Sequence, residues 1–268
     1  MRRLHVLEIE DQAWCPRAVR DGITDYLQFA LATAKPYQVG IPRLAEALRR
    51  TRTTHVVDLC SGAAGPWLWL QPALAEQGLQ LSICLTDRYP NLDSLPNTRN
   101  ANPNIRYHRE PIDATQVPGD LTGFRTLFTA FHHFRPEQAR AILADAVRRR
   151  QGIAVFEASQ RRLLALLLLL PLPLVIWLTT PFIRPFRWSR LFWTYLIPLV
   201  PLVTLFDGMI SCLRTYKVEE LRQLIESLQP HNYQWDVGTL RGTGNPIAIT
   251  YLIGVPGPDV PPEAPPAV

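Results

Sequence analysis

The run V-V-D-L-C-S-G-A-A-G, Val56 to Gly65, opens with an apolar strand that ends in Asp58 and breaks into a turn of small residues. A helix-like stretch follows from Pro66 to Gln77. Small residues in such a turn let the backbone approach a ligand, and the helix N-terminus offers free N–H groups. Reading outward, the same grammar repeats. Leu81 to Thr86 is an apolar strand ending in Asp87, and Ile105 to His108 reads as a third strand followed by P-I-D-A with Asp113. R-T-L-F-T-A-F-H-H-F is a fourth strand running into His132 and His133, and G-I-A-V-F-E-A is a fifth ending at Glu157. Helical segments separate the strands, Pro136 to Arg149 being the clearest. Strands alternating with helices predict an α/β fold with a parallel sheet. In such sheets ligands bind beyond the carboxyl ends of the strands, where Asp58, Asp87, Asp113, His132 and Glu157 all fall.

The chemistry of the turn narrows the ligand. A phosphate-binding P-loop needs Lys and Ser/Thr after its last glycine, and here Pro66 and Trp67 follow. The dinucleotide fingerprint G-x-G-x-x-G is absent, because Cys60 stands where its first glycine belongs. The pattern resembles instead motif I of the class I S-adenosylmethionine (SAM) methyltransferases, D-x-G-x-G-x-G. Asp58 matches the acid and Gly62 the central glycine, while Cys60 and Ala64 replace two glycines and Gly65 comes one place late. The resemblance covers about Val56 to Ile253. It implies a Rossmann-like sheet, mostly parallel with the last strand antiparallel, and SAM as cofactor. It assigns Asp58, Ser61, Gly62 and Gly65 to the cofactor turn, Asp87 to the ribose hydroxyls and Asp113 to the adenine. A carboxylate accepts two hydrogen bonds from a vicinal diol, which suits Asp87. His132, His133 and Glu157 are the candidate catalytic bases. Nothing in the pattern calls for a metal. A single acid at a strand end serves equally as a helix cap or turn residue, and Asp145 with Arg148 to Arg150 reads as a solvated helix end.

Composition sets the remaining limits. The 268 residues suit one elaborated α/β domain, and the net charge is +5. Arginine supplies nearly all the positive charge, Lys35 and Lys217 being the only lysines. The four cysteines, Cys15, Cys60, Cys84 and Cys212, form no C-x-x-C pair and read as reduced, in a cytosolic compartment. M-R-R-L-H-V-L-E-I-E-D lacks the apolar core of a signal peptide. No basic-aromatic pattern suggests nucleic-acid binding.

A second feature interrupts this frame. Leu163 to Leu178 and Leu191 to Phe206 are two uncharged, apolar runs separated by R-P-F-R-W-S-R. As helix each run is about 24 Å long at 1.5 Å per residue, short of the roughly 30 Å of a bilayer core. Pro171, Pro173, Pro198 and Pro201 interrupt them further. Because strand five and the helix Val218 to Leu228 belong to one sheet, the chain must return to the side it left. Monotopic or re-entrant insertion at the cytoplasmic face keeps Arg184, Arg187 and Arg190 near lipid phosphates, with Trp188 and Trp193 at the interface. The alternative is a homo-oligomer interface or a lid over an apolar tunnel.

The expected organisation is a helical cap at 1–50, with Trp14, Tyr26 and Tyr37 as lid aromatics, and a SAM-binding core at 51–160. An apolar insert at 161–215 precedes the C-terminal helix and last two strands at 216–255, Tyr233 to Leu240 and Ile247 to Ile253. A Pro-rich, disordered tail follows at 256–268. The expected function is methylation of an apolar or amphiphilic small molecule, such as a lipid or quinone, at a membrane lipid surface engaged through 163–206. Two alternatives stand: a methyltransferase of a soluble substrate whose insert is an oligomer interface, and a non-catalytic scaffold of the same fold.

Overall fold

The computed structural model describes residues 1–90, 102–228, 232–242 and 248–257. The tail expected to be disordered and the link between the last two strands lie largely outside these residues. Seven strands form one sheet in the order β3-β2-β1-β4-β5-β7-β6. These are β1 (His55–Leu59), β2 (Ser82–Thr86), β3 (Ile105–Tyr107), β4 (Phe124–Phe128), β5 (Ile153–Glu157), β6 (Tyr233–Arg241) and β7 (Ala248–Pro256). The first five pair in parallel, with Val57 opposite Cys84 and Leu127 opposite Val155. β7 is antiparallel to both β5 and β6, as expected for the last strands.

Alternate residues of each strand sort to opposite faces, as the period of two requires. Val56, Ala154 and Phe156 pack with α2 (Ile41–Thr51) and α3 (Trp67–Ala75). Val57, Ile153 and Val155 pack with α4 (Pro136–Arg148) and with the helix Val218–Glu226. Both β4 and β5 are buried along their whole length, so they read as continuous apolar runs rather than alternating ones. Two polar residues, Arg125 and Thr126, interrupt β4, and Arg125 is the charged one. It is wholly buried, and it donates to Asp145 at 2.7 Å and to Gln151 at 2.9 Å. Asp145 is therefore the buried partner of an internal arginine, not part of a solvated helix end.

The N-terminal cap is helical from α1 (Arg17–Ala34) through α2, but residues 1–16 form an irregular strap. The insert packs on that cap as a third apolar layer. Val19, Ile23 and Tyr26 of α1 meet Ile176, Ile183, Val200 and Val203. The insert contains α5 (Leu163–Leu169), α6 (Leu172–Thr179), the single turn α7 (Trp188–Leu191) and α8 (Leu199–Arg214), followed by α9 (Val218–Glu226). Contact at α1 is close: a Cβ on Gly22 would lie 2.9 Å from Val200.

Two expectations for the insert need correction. Helical structure continues past Leu178 through Thr179–Phe182, giving a 20-residue apolar stretch, Leu163–Phe182, long enough to cross a membrane. The second run bends by 77° between Trp188–Leu196 and Leu199–Arg214, and the last turns of α8 enter the core with Asp207 and Arg214 buried. Arg190 does not face outward. It is 2% exposed, donates to Asp25 at 2.6 Å, and caps the carbonyls of Ile183 and Pro185 at 2.7 Å each. All four cysteines are free, and three are buried.

Candidate functional site

The turn after β1 keeps the backbone of a glycine-rich loop without all its glycines. Cys60, Gly62, Ala64 and Gly65 all have positive φ, at 59°, 53°, 91° and 51°. For an L-residue this conformation costs about 1–2 kcal/mol, so Cys60 and Ala64 hold strained positions where motif I has glycine. Ser61 stitches the turn to the neighbouring strand. Its Oγ donates to the Asp58 carbonyl at 2.9 Å and accepts from the Thr86 amide at 3.2 Å. The Asp58 side chain is buried between β1 and β4, where Thr126 Oγ1 donates to it at 2.6 Å. Burial pushes this carboxyl up to about 6, against the hydrogen bond from Thr126.

Asp87, at the end of β2, closes the same turn. One oxygen accepts from the Gly62 amide at 2.8 Å and the other from the Tyr89 amide at 2.8 Å. A carboxylate has about four acceptor positions, so capacity remains for a ligand hydroxyl pair. Burial raises its pKa while the two amides oppose the rise. Asp113 forms a local turn, accepting from the amide and the hydroxyl of Thr115 at 2.8 and 2.6 Å.

Past β4, Thr129 takes a positive φ of 47° and swings the chain into the single helical turn Phe131–His133. The two histidines then diverge. His132 is fully buried, and its Nδ1 pairs with Glu157 Oε2 at 2.8 Å while its amide donates to Oε1 at 3.1 Å. Its Nε2 has no hydrogen-bond partner and lies 3.8 Å from Glu8. His133 is partly open, with Nδ1 at 2.8 Å from Glu8 and 2.9 Å from Asp11. Burial opposes its charging, but Glu8 and Asp11 overcome this and hold its pKa well above that of a free imidazole.

Sequence reasoning missed the groups that surround His133. Glu8 and Asp11 come from the strap, and Arg214 from the end of α8 lies 3.1 Å from Glu8 and 3.0 Å from Asp11. Burial disfavours ionised Glu8, yet His133, His132 and Arg214 take it down to about 2. Asp207 fastens the strap by accepting from the amides of Ile9 and Glu10 at 2.7 and 2.9 Å. Glu10 has a buried oxygen without a partner, and burial pushes its carboxyl up to about 8. The only local signal was the acidic E-I-E-D at 8–11. Glu8, His132 and His133 also offer ligand atoms within 4.8 Å of one another, a set with metal-binding chemistry that Arg214 already neutralises in part.

One cavity of about 1320 Å³ gathers these groups. Asp58, Ser61, Gly62, Gly65, Asp87, Asp113, His132 and His133 all line it, together with Glu10, Asp11 and Asp207. Glu157 does not line it and sits behind His132. Of the aromatics expected in the lid, Tyr26 lines the cavity. Trp14 is largely exposed, and Tyr37 is a core residue packed 4.9 Å from Phe128. A second, apolar arm of the cavity runs along Leu27 and Leu31 of α1 and Leu164, Leu168, Leu169 and Leu172 of the insert.

No protein-family model and no curated protein matches the sequence. Solved structures do match in shape. An O-methyltransferase family protein from Burkholderia thailandensis aligns with a TM-score of 0.50 at 14% identity, covering 87% of this chain and 59% of that one. The S-adenosylmethionine-dependent methyltransferase SibL aligns at 0.49 and 16%, covering 85% and 58%. Magnesium protoporphyrin IX methyltransferase from Synechocystis PCC 6803, with bound SAH, aligns at 0.46 and 11%, covering 83% and 84%. The chain thus spans about three-fifths of the length of the Burkholderia protein and of SibL. At such identities the likeness speaks for architecture alone. The chain has the Rossmann-like fold of the class I S-adenosylmethionine-dependent methyltransferases.

Proposed function

We propose that this protein is a SAM-dependent methyltransferase that works at a membrane surface on an apolar or amphiphilic small molecule. The observation that carries the reading is one shared cavity, in which the motif I turn and Asp87 meet His133 and an apolar wall of the insert. Its volume of about 1320 Å³ exceeds the roughly 300–1,000 Å³ of a one-ligand site, leaving room for a cofactor and an acceptor.

The residues present fit SAM. Gly62 and Gly65 keep the turn open, with no atom nearer than 3.5 Å to a Cβ built on either. Asp87 retains acceptor positions for ribose hydroxyls, and the carboxyls of Asp58, Asp87, Asp113 and Asp11 suit a sulfonium cation. When bound, SAM would supply the electrophilic methyl group. The chain's own part is alignment and proton handling. Asp11 and Glu8 fix the His133 ring through Nδ1, which leaves Nε2 as the proton-accepting atom. The same carboxylates favour the protonated ring, so turnover should climb with pH as His133 loses its proton. His132, locked between Glu157 and Glu8, positions the turn that carries His133.

The membrane part rests on exposure. Only 11% of the most apolar 18 residues in Leu163–Phe182 are buried, and Phe182 and Trp188 are 70% and 78% exposed. Apolar surface of this extent calls for a cover. Leu164 and Leu168 both line the cavity and face outward, so an acceptor can pass from the lipid phase along the insert. A His133→Gln variant tests the site: SAM affinity should stay within a few-fold of wild type while turnover falls about 10²–10⁴-fold. Turnover near wild type would remove His133 from catalysis.

A further inference from the structure

Away from the large cavity, a cleft of about 320 Å³ lies between the first turn of α1 and the insert segment Arg187–Arg190. Arg17, Ala18, Arg187, Ser189 and Arg190 line it, with Asp21 on the α1 side. Three guanidinium groups thus converge on two carboxylates. Arg190 and Arg187 share Asp25, at 2.6 and 3.5 Å, and Arg17 lies 3.4 Å from Asp21. Their hydrogen-bonding capacity is not used up. Arg190, 98% buried, has an Nε with no partner, and Arg187 has a buried Nη2 with none. On its α1 side the cleft extends from Gly22 and Asp21 up to Arg17 and Ala18, at the start of a helix whose N-cap, Pro16, makes no side-chain cap. Unused guanidinium N–H groups lining a cleft are the chemistry of a phosphate site.

The surroundings identify the source of the phosphate. Trp188 projects next to the cleft from the same turn, with its ring 5.1 Å from that of Phe186, and both are exposed. Aromatic rings of this kind settle at the headgroup level of a bilayer. The exposed apolar stretch Leu163–Phe182 belongs to the same insert. We propose that this cleft binds the phosphate of an anionic bilayer lipid, so that the insert is seated by headgroup recognition as well as by its apolar face. The proposal rests on the membrane reading above.

Flotation of the full chain with phosphatidylcholine vesicles, with and without phosphatidylglycerol, separates the two. Wild type should bind neutral vesicles through its apolar face and bind more tightly when phosphatidylglycerol is present. Arg187→Gln should lose about fivefold of that gain, the equivalent of ~1 kcal/mol for one basic residue at such a surface, and keep its binding to neutral vesicles. Ser189→Asp changes an exposed residue of the cleft, leaves the Asp25 pairs intact, and should lose the gain as well. A gain that survives both substitutions is diffuse charge attraction and overturns the cleft. Binding to neutral vesicles with no gain from phosphatidylglycerol also overturns it while the apolar membrane reading stands. Inorganic phosphate that binds the cleft but leaves flotation unchanged makes it a free-phosphate site and overturns the lipid assignment. No flotation with either vesicle removes both readings.

Discussion

Asp87→Asn is the perturbation in which the structure's magnitudes can be followed furthest. The wild-type carboxylate accepts from two backbone amides at 2.8 Å and, on the functional reading, from the ribose hydroxyls. An asparagine has one acceptor oxygen, so one amide, Gly62 or Tyr89, must face an NH₂ group instead. The fold therefore loses one hydrogen bond, about 1 kcal/mol, and the melting temperature should drop by about 2–4 °C. The ligand loses a charge-assisted acceptor, worth about 1.5–3 kcal/mol, which lowers affinity roughly 10- to 150-fold. Calorimetric titration with S-adenosylhomocysteine beside a thermal melt measures both. Asp87→Ala deprives both amides and should destabilise further, so the loop loosens together with the loss of ligand. Asparagine separates the effects better. Affinity within twofold of wild type, with the melt shifted as expected, would show that Asp87 only ties the turn and would refute its role toward the cofactor.

Three further outcomes follow from the geometry. Burial raises the Asp58 carboxyl to about 6, so folding favours its protonated form. Its contribution is full below the unfolded value of about 4 and is lost as pH rises through about 6, a difference on the order of 2–3 kcal/mol. Asp58→Asn should therefore raise stability at pH 7–8 and not at pH 4, read by denaturant titration at both; equal effects at the two pH values would contradict the burial argument. Ala64→Gly should stabilise the fold by up to about 1 kcal/mol, because φ of 91° suits glycine and strains alanine; a lower denaturation midpoint would show that the methyl group packs more than it strains. Arg190→Met should cost about 3–5 kcal/mol, since it removes the guanidinium 2.6 Å from buried Asp25 and leaves that of Arg187 at 3.5 Å; a mild loss in the same assay would mean that Arg187 moves in to replace it.

Much of the frame was legible because it is local. Strands β1 to β5 announced themselves by short apolar runs, and the acids at their ends fall where the parallel sheet puts ligand groups. The turn was legible too, although Cys60 and Ala64 disguise two of its left-handed positions. The surroundings of His133 were not. Asp11 bonds a histidine 122 positions away and Arg214 reaches back 203, and no periodicity encodes such pairings. Charged residues next to apolar runs look alike in sequence whether they face lipid or the interior. Arg190 read as a surface cation and is instead the partner of Asp25, 165 positions earlier. The insert was measured short because Thr179, Thr180 and Pro181 end the apolar run, whereas the helical path continues to Phe182.

The central claim is methyl transfer to a membrane-borne acceptor from the cavity that Asp87, His133 and the insert share. Its most direct test is incubation of the purified protein with cell membranes and methyl-labelled SAM, followed by extraction into organic solvent. Label should enter one organic-soluble species, with wild-type protein and not with His133→Gln, at a rate that rises with pH. Label that stays in the aqueous phase, or that enters the organic phase equally with both proteins, contradicts the account.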